Sequence, residues 1–369
     1  MKVPFLDLEL QYYSIRESID NAIAKAIKGF NYIRGKEVTE FEEAFGKALG
    51  TTNVVATGNG TDSLFVALRT LGIKAGDEVI TPAFSCIPSA ETVSLCNAQP
   101  VFADIDPNTY TLDPREIEPK ITPKTKAVIA VHLFGQMAHI AEIKTLCQNH
   151  HLALIEDCAQ AHLTEENGKY AGTFGDAGAF SFYPTKNLGA FGDAGCLITG
   201  NTDLATKMRR FANHGALEKD DHLTEGTNSR MDTIQAAILL AKLPFLSSWN
   251  AKRRTNAAHY NDLLREIDEI STPFVRPGTL HAFHIYAIRA RNRNALRAFL
   301  RDKGIQTVVH YPAALPNLPA YQRLGHHPRD FPEASRLQDD ILSLPVYPEL
   351  TEQQIGYVCL SIRDFYAHN

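Results

Sequence analysis

No run of about 18 apolar residues occurs anywhere in this 369-residue chain, so no segment reads as a membrane-spanning helix. The opening Met1-Lys2-Val3-Pro4-Phe5-Leu6-Asp7-Leu8 meets an acidic side chain at once and has no apolar core of the secretory kind, which makes the cytoplasm the expected location. Blocks of basic residues are missing too. Net charge is −5, and the basic clusters at 207–210 and 289–297 are short and interrupted, so they read as solvated helix faces. Neither nucleic acid nor an anionic membrane is an expected partner. The six cysteines, Cys86, Cys96, Cys147, Cys158, Cys196 and Cys359, form no CxxC pair and mostly lie in apolar surroundings. Free buried thiols in a reducing compartment are the expectation. No two metal-type ligands recur at finger or ribbon spacing, so no metal is expected. Internal repeats and low-complexity tracts are absent.

What is present is a chain 44% apolar and 21% charged, ordinary for a soluble protein with a large core and too long for one small domain. Two domains are expected: an N-terminal segment with a large domain over 1–250, and a smaller α/β domain over 251–369. Short apolar runs at 53–56, 78–81, 101–105, 126–134, 152–157, 179–183 and 196–199 read as strands. They alternate with amphipathic helical patterns at 62–71, 89–96 and 140–149. That alternation predicts an α/β fold, a mostly parallel seven-stranded sheet between helices. Residues 228–270 read as one long helical region broken near Pro244. Beyond it, 281–290 and 306–309 read as strands, and 293–303, 333–341 and 352–367 as helices. The helical run 15–28 should pack against one of the two domains.

Ligands of such sheets gather at the carboxyl ends of strands. Two residues end strands there. Asp157 closes Leu152-Ala153-Leu154-Ile155-Glu156-Asp157, and Lys186 follows the run that ends in Phe180-Ser181-Phe182-Tyr183. An amine between aromatics and a Gly-rich loop is poorly placed for a surface lysine. A lysine that can form a Schiff base, with a buried carboxylate to keep a pyridinium nitrogen protonated, is the minimum equipment for pyridoxal 5′-phosphate chemistry. Gly58-Asn59-Gly60-Thr61 before a helix suits a phosphate, because backbone N–H groups converge at a helix start. Taken alone, that turn reads rather as a plain turn with Thr61 as N-cap, and Asp157 equally as the N-cap of a helix starting at Cys158; taken together with Lys186, the phosphate reading is preferred. Gln160, three residues on, is placed to touch the phenolic oxygen of the cofactor. Ser181 is placed to reach its phosphate.

With these residues in place, the sequence resembles the DegT/DnrJ/EryC1/StrS family of nucleotide-sugar aminotransferases, within the fold type I aspartate-aminotransferase superfamily. The resemblance covers nearly the whole chain. It is carried by Val3–Leu8, Tyr32-Ile33-Arg34-Gly35-Lys36-Glu37-Val38, Asn59-Gly60-Thr61-Asp62-Ser63-Leu64, Gly76-Asp77-Glu78-Val79-Ile80-Thr81-Pro82, Glu156-Asp157-Cys158-Ala159-Gln160-Ala161, residues 181–189, Asn228-Ser229-Arg230-Met231-Asp232, Val309-His310-Tyr311-Pro312 and Leu344-Pro345-Val346-Tyr347-Pro348. It implies a pyridoxal-phosphate-dependent transaminase that alternates with the pyridoxamine 5′-phosphate form, takes L-glutamate as amino donor, and works as a homodimer with shared active sites. It further implies that Asn228 reaches the phosphate of the neighbouring subunit. Tyr32, Tyr183, Arg230 and His310 become the expected contacts to a nucleotide-linked keto sugar.

Two departures stand out. Where many relatives stack an aromatic ring on the cofactor this chain has Cys86, two positions after Phe84; either the small residue suffices or Phe84 swings in. The segment Asn187-Leu188-Gly189-Ala190-Phe191-Gly192-Asp193 differs from the Thr-rich form of enzymes acting at sugar C4. It is more similar to enzymes that aminate C3 of dTDP-3-keto-6-deoxyhexoses or of UDP-linked 3-keto-hexuronates. A dehydratase of the same family would carry histidine in place of Lys186, and a non-catalytic regulator would have lost Lys186, Asp157 or the phosphate turn.

Overall fold

The structure is a computed structural model that describes residues 1–368. Its centre is a seven-stranded sheet in the spatial order Asn53–Thr57, Gly195–Thr199, Ala177–Ser181, Ala153–Asp157, Thr125–Val131, Glu78–Pro82, Gln99–Ala103. Gly195–Thr199 pairs antiparallel with both neighbours, and the remaining pairings are parallel. The expected mostly parallel sheet is therefore observed, each strand within about two residues of its apolar run except Thr125–Val131. There the chain turns at His132, and Phe134 takes a positive φ of 60°. One apolar core lies on each face. Val66, Leu68, Val79, Phe84 and Ile129 belong to one, and Phe41, Phe45, Ile80, Val128 and Phe180 to the other. Ile80 and Val79, like Val128 and Ile129, are sequence neighbours facing opposite ways, as strand geometry requires.

A second sheet, Ile270–Ser271, Tyr286–Ala290 and Ile341–Leu344, is covered by helices Arg293–Asp302 and Glu352–Ala367 and has a core of its own around Tyr260, Tyr286, Ile288 and Leu342. Several expectations fail in this part. Residues 281–285 are not strand, and 306–309 make only the Val308–Ser343 bridge. Ile341–Leu344 is a strand that begins where helix Pro332–Asp340 stops, with no turn residue to announce it. The 228–270 region is two helices, Thr233–Lys242 and Leu246–Leu264, joined by a 3-10 turn at Pro244; its first residues are extended.

The N-terminal segment makes two separate contacts. Ile19 packs with Trp249 beside the large sheet, and Val3 bonds Gly304 and Gln306 beside the small one. The basic clusters are structural rather than simply solvated. Arg209 bonds Glu42 at 2.8 Å, and Arg293 bonds the carbonyl oxygens of Ile341 and Gln338. All six cysteines are free, five of them buried.

Candidate active site

Three strand ends build the site. Asp157 ends its strand in register with Val131 on one side and Ala179 on the other. The next strand ends at Ser181, passes through Lys186, and returns antiparallel at Gly195. That loop is shaped by its own backbone: Lys186 N–H donates to Tyr183 O, and Ala190 N–H to Phe182 O, both at 2.8 Å. Across from it, helix Gly60–Thr70 begins. Asn59, not Thr61, is its cap, with Oδ1 accepting from Asp62 N–H at 2.8 Å. Among the described residues the N–H groups of Gly60 and Thr61 have no acceptor. Gly60 is required by closeness: a Cβ there would lie 2.6 Å from Ser181 Cβ.

These pieces enclose a cavity of about 310 Å³. Of the residues singled out from sequence, Gly60, Thr61, Cys86, Asp157, Gln160, Ser181, Tyr183 and Lys186 line it. Ser85 and Asp193 line it as well; neither was expected. Tyr32, Asn228, Arg230 and His310 are not on its wall. Tyr32 is 45% exposed on the surface. Asn228 Oδ1 accepts from Arg230 Nε at 2.9 Å, while Ser229 Oγ between them accepts from Gly58 N–H at 3.1 Å. The 228–230 segment thus supports the turn at Gly58–Thr61 from outside the cavity. His310 shares a 2.9 Å hydrogen bond between Nδ1 and Ser343 Oγ. Burial and the nearby Lys186 charge lower it to about 4.

No helix starts at Cys158, so Asp157 caps nothing. Its Oδ1 accepts only from Ala159 N–H (3.0 Å), and Oδ2 has no partner among the described residues. Burial pushes this carboxyl up, opposed by the Ala159 N–H, Lys186 and His132. Lys186 is pushed down by burial, opposed by Cys86 and Asp157, and its Nζ has no hydrogen bond in the described structure. Gln160 lies on a turn rather than a helix. Its Oε1 accepts from Phe134 N–H at 2.6 Å, and its Nε2 donates to the Tyr311 hydroxyl at 2.9 Å. Phe84 is fully buried in the core against Tyr311, so it is Cys86 that forms the wall.

Behind Asp157 the polarity is spent. Glu156 accepts from His132 Nε2 (2.9 Å) and from the N–H groups of Gly172, Phe174 and Gly175. His132 Nδ1 accepts from Ala138 N–H at 3.1 Å, so its proton sits on Nε2. Glu156, His132 and Cys158 are grouped closely enough to suggest a metal site, but the carboxylate and both imidazole nitrogens already serve one another and the backbone.

The front of the sheet offers unmatched groups instead: free N–H donors at a helix start, a buried Ser85 hydroxyl without a partner, an open carboxylate oxygen and an unpaired amine. This donor set fits pyridoxal phosphate: the helix start would hold the phosphate, Asp157 would meet the ring nitrogen and Lys186 would meet the aldehyde carbon.

Comparison with known proteins decides the matter. The model of the DegT/DnrJ/EryC1/StrS aminotransferase family matches residues 13–363. The chain belongs to that family. It is a pyridoxal-phosphate-dependent nucleotide-sugar aminotransferase. It is 42% identical over its whole length, and that of the relative, to a "pleiotropic regulatory protein" of Geobacillus stearothermophilus. It is 39% identical to the dTDP-3-amino-3,4,6-trideoxy-α-D-glucose transaminase of Streptomyces venezuelae, over 99% of this chain and 96% of that one. It is 38% identical to the UDP-2-acetamido-2-deoxy-3-oxo-D-glucuronate aminotransferase of Pseudomonas aeruginosa, over 98% and 99%. The crystal structure of DesV from S. venezuelae superposes with a TM-score of 0.97 at 39% identity, covering 99% of this chain and 98% of that one. As a member of this aminotransferase family, the chain retains the lysine, carboxylate and phosphate turn whose loss would have pointed to a regulator. Among the described residues no helix is long and apolar enough to cross a membrane.

Proposed function

We propose that this aminotransferase converts a nucleotide-linked 3-keto sugar, a dTDP-3-keto-6-deoxyhexose, to the 3-amino sugar with L-glutamate as donor. The bound cofactor supplies an electron-accepting ring and a carbonyl that carries the amino group between donor and acceptor. In this reading Gly60, Thr61 and Ser181 hold its phosphate, and Asp157 keeps its ring nitrogen protonated through a charge-assisted bond. Lys186 anchors it and then, as a free amine whose burial favours the neutral form, moves the proton at the reacting carbon. Gln160 keeps one Nε2 hydrogen for the phenolic oxygen. Tyr183, 52% exposed at the mouth of the cavity, meets the sugar.

The observation that carries the choice of sugar is the charge of the wall. Lys186 is the single basic side chain among the described lining residues, and Asp157 and Asp193 are the acidic ones. A neutral 6-deoxyhexose meets no repulsion there, whereas a hexuronate carboxylate would approach Asp193 without a basic partner from this chain. The Pseudomonas relative keeps the UDP-linked 2-acetamido-3-keto-hexuronate as the second reading. In that case Arg230, with one hydrogen bond to Asn228, is the natural carboxylate clamp. Turnover of L-glutamate against a panel of dTDP- and UDP-linked 3-keto and 4-keto sugars tests this. A preference for the uronate or for a C4 ketone overturns the first reading.

Homodimerisation with shared sites belongs to the same proposal. Asn228 is exposed and is not among the residues lining the cavity of its own chain, in keeping with a role across a two-fold interface. Mixed Lys186→Ala and Asn228→Asp subunits should then regain activity above either parent. Confirmed subunit exchange without such recovery argues for independent sites.

A further inference from the structure

Asn187, directly after Lys186, is 1% exposed and has both amide hydrogens and its oxygen engaged. Its Nδ2 donates to the carbonyl of Ala282 (3.0 Å) and to Asn250 Oδ1 (2.8 Å). A carbonyl only accepts, so the orientation of the Asn187 amide is fixed. Oδ1 is therefore the atom that meets His284 Nδ1 at 3.0 Å, and the His284 proton must sit on Nδ1. Asn250 is oriented by the same logic, because its Nδ2 donates to the carbonyl of His162 at 2.7 Å. The result is one chain of hydrogen bonds running in one direction, His284 to Asn187 to Asn250 to the His162 carbonyl.

The four segments it joins are the turn after Asp157, the loop bearing Lys186, the long helix Leu246–Leu264, and the 282–284 stretch that leads into the strand Tyr286–Ala290 of the small sheet. One helical turn beyond Asn250, Arg253 grips the carbonyl oxygens of Phe283, His284 and Val346. The helix thus holds the entrance to the small sheet with one residue and both catalytic loops with another.

We propose that His284, Asn187 and Asn250 form a positioning relay that sets the distance between Lys186 and Asp157 and ties it to the placement of the small sheet. None of the three lies on the cavity wall, so they act through the residues they hold. His284 is suited to this place as a neutral ring. Burial and the charges of Lys186 and Arg253 keep it far below its ordinary range, with His162 and His310 adding to the effect. A charged imidazolium there would repel the lysine it helps to place. Its Nε2 has no partner among the described residues, so the ring stabilises the relay through Nδ1 alone.

The relay predicts a local response to a distant change. His284→Leu removes the only donor to Asn187 Oδ1, while His284→Asn places an amide N–H at the Nδ1 position. Two readouts apply. Amide hydrogen exchange on the protein without cofactor should rise about tenfold in 183–190 and in 158–163 for His284→Leu, and stay near wild type for His284→Asn. On the loaded enzyme, the pH midpoint of the visible absorbance should move by about half a unit for His284→Leu and for Asn250→Ala, because the environment of the Lys186 nitrogen changes. The first readout needs no cofactor, so it stands whether or not the assignment of the bound group holds. Exchange that is unchanged in both segments overturns the relay. So does exchange that rises uniformly over the chain with a falling melting temperature, or a His284→Asn protein that behaves like His284→Leu.

Discussion

Glu156 and Asp157 are neighbours in one strand, both carboxylates and both buried, yet they face opposite sides of the sheet and have opposite fates. Glu156 receives four hydrogen bonds, three from backbone N–H groups of 172–175 and one from His132. Asp157 receives one, and its second oxygen opens onto the cavity. The same division separates two lysines. Lys242, 2% exposed, donates to Gly189 O at 2.7 Å and lies over the Phe191 ring, whereas the amine of Lys186 has no such partner. Spent valences hold the loops in place, and spare valences are left for a ligand. Burial alone would not tell these groups apart.

The comparison breaks most sharply at Lys186. Lys186→Ala should drop transamination to background in a single-turnover assay, while the phosphate contacts still retain cofactor. Near-normal turnover would mean that the spare amine is not the reactive one. Next in size, Asp157→Asn should slow the reaction by about 10³-fold or more at nearly unchanged stability, since an amide cannot hold a ring nitrogen protonated. Glu156→Gln should do the reverse. It turns two accepted hydrogen bonds into clashes of donors, and chemical denaturation should show a loss of about 3–5 kcal/mol. If Asp157→Asn costs as much stability as Glu156→Gln, the division between spent and spare groups fails.

The smallest effect concerns Lys242, held at about 8 by burial against its ordinary 10.5. Between those values the unfolded chain keeps a proton that the folded protein has released, so stability conferred by the lysine form rises with pH. Below pH 8 the buried charge costs about 3 kcal/mol. Wild type should therefore gain on Lys242→Met as pH climbs from 8 to 10.5. A stability difference that stays flat over that window would place the ammonium in contact with water.

The groups with spare valences were the legible ones. Asp157 and Ser181 end strands, Gly60 starts a helix, and Lys186 lies in the loop that follows Ser181; short apolar runs with Gly-rich loops mark such places locally. Glu156 lies in the same apolar run, and a carboxylate one residue from Asp157 must point to the other face, but its partners at 132 and 172–175 leave no local mark. Asn187, Asn250 and His284 were beyond reach for a different reason: their partners lie 63 to 97 residues away, and no local pattern encodes such a meeting. Tyr311 meets Gln160 across 151 residues. The strand Ile341–Leu344 was missed because the helix before it passes straight into it. Tyr32, Asn228, Arg230 and His310 came from family resemblance, and within one chain none reaches the cavity wall.

The seating of Val3 and Phe5 against residues 304–306 bears on the order of synthesis. Val3 pairs with Gly304 and Gln306, and Phe5 N–H with the Gln306 side chain, across 301 residues of sequence. At about 5–20 residues per second, these first apolar residues wait roughly 15–60 s on the ribosome before their partners exist. Val3 and Phe5 are made well before the residues that seat them.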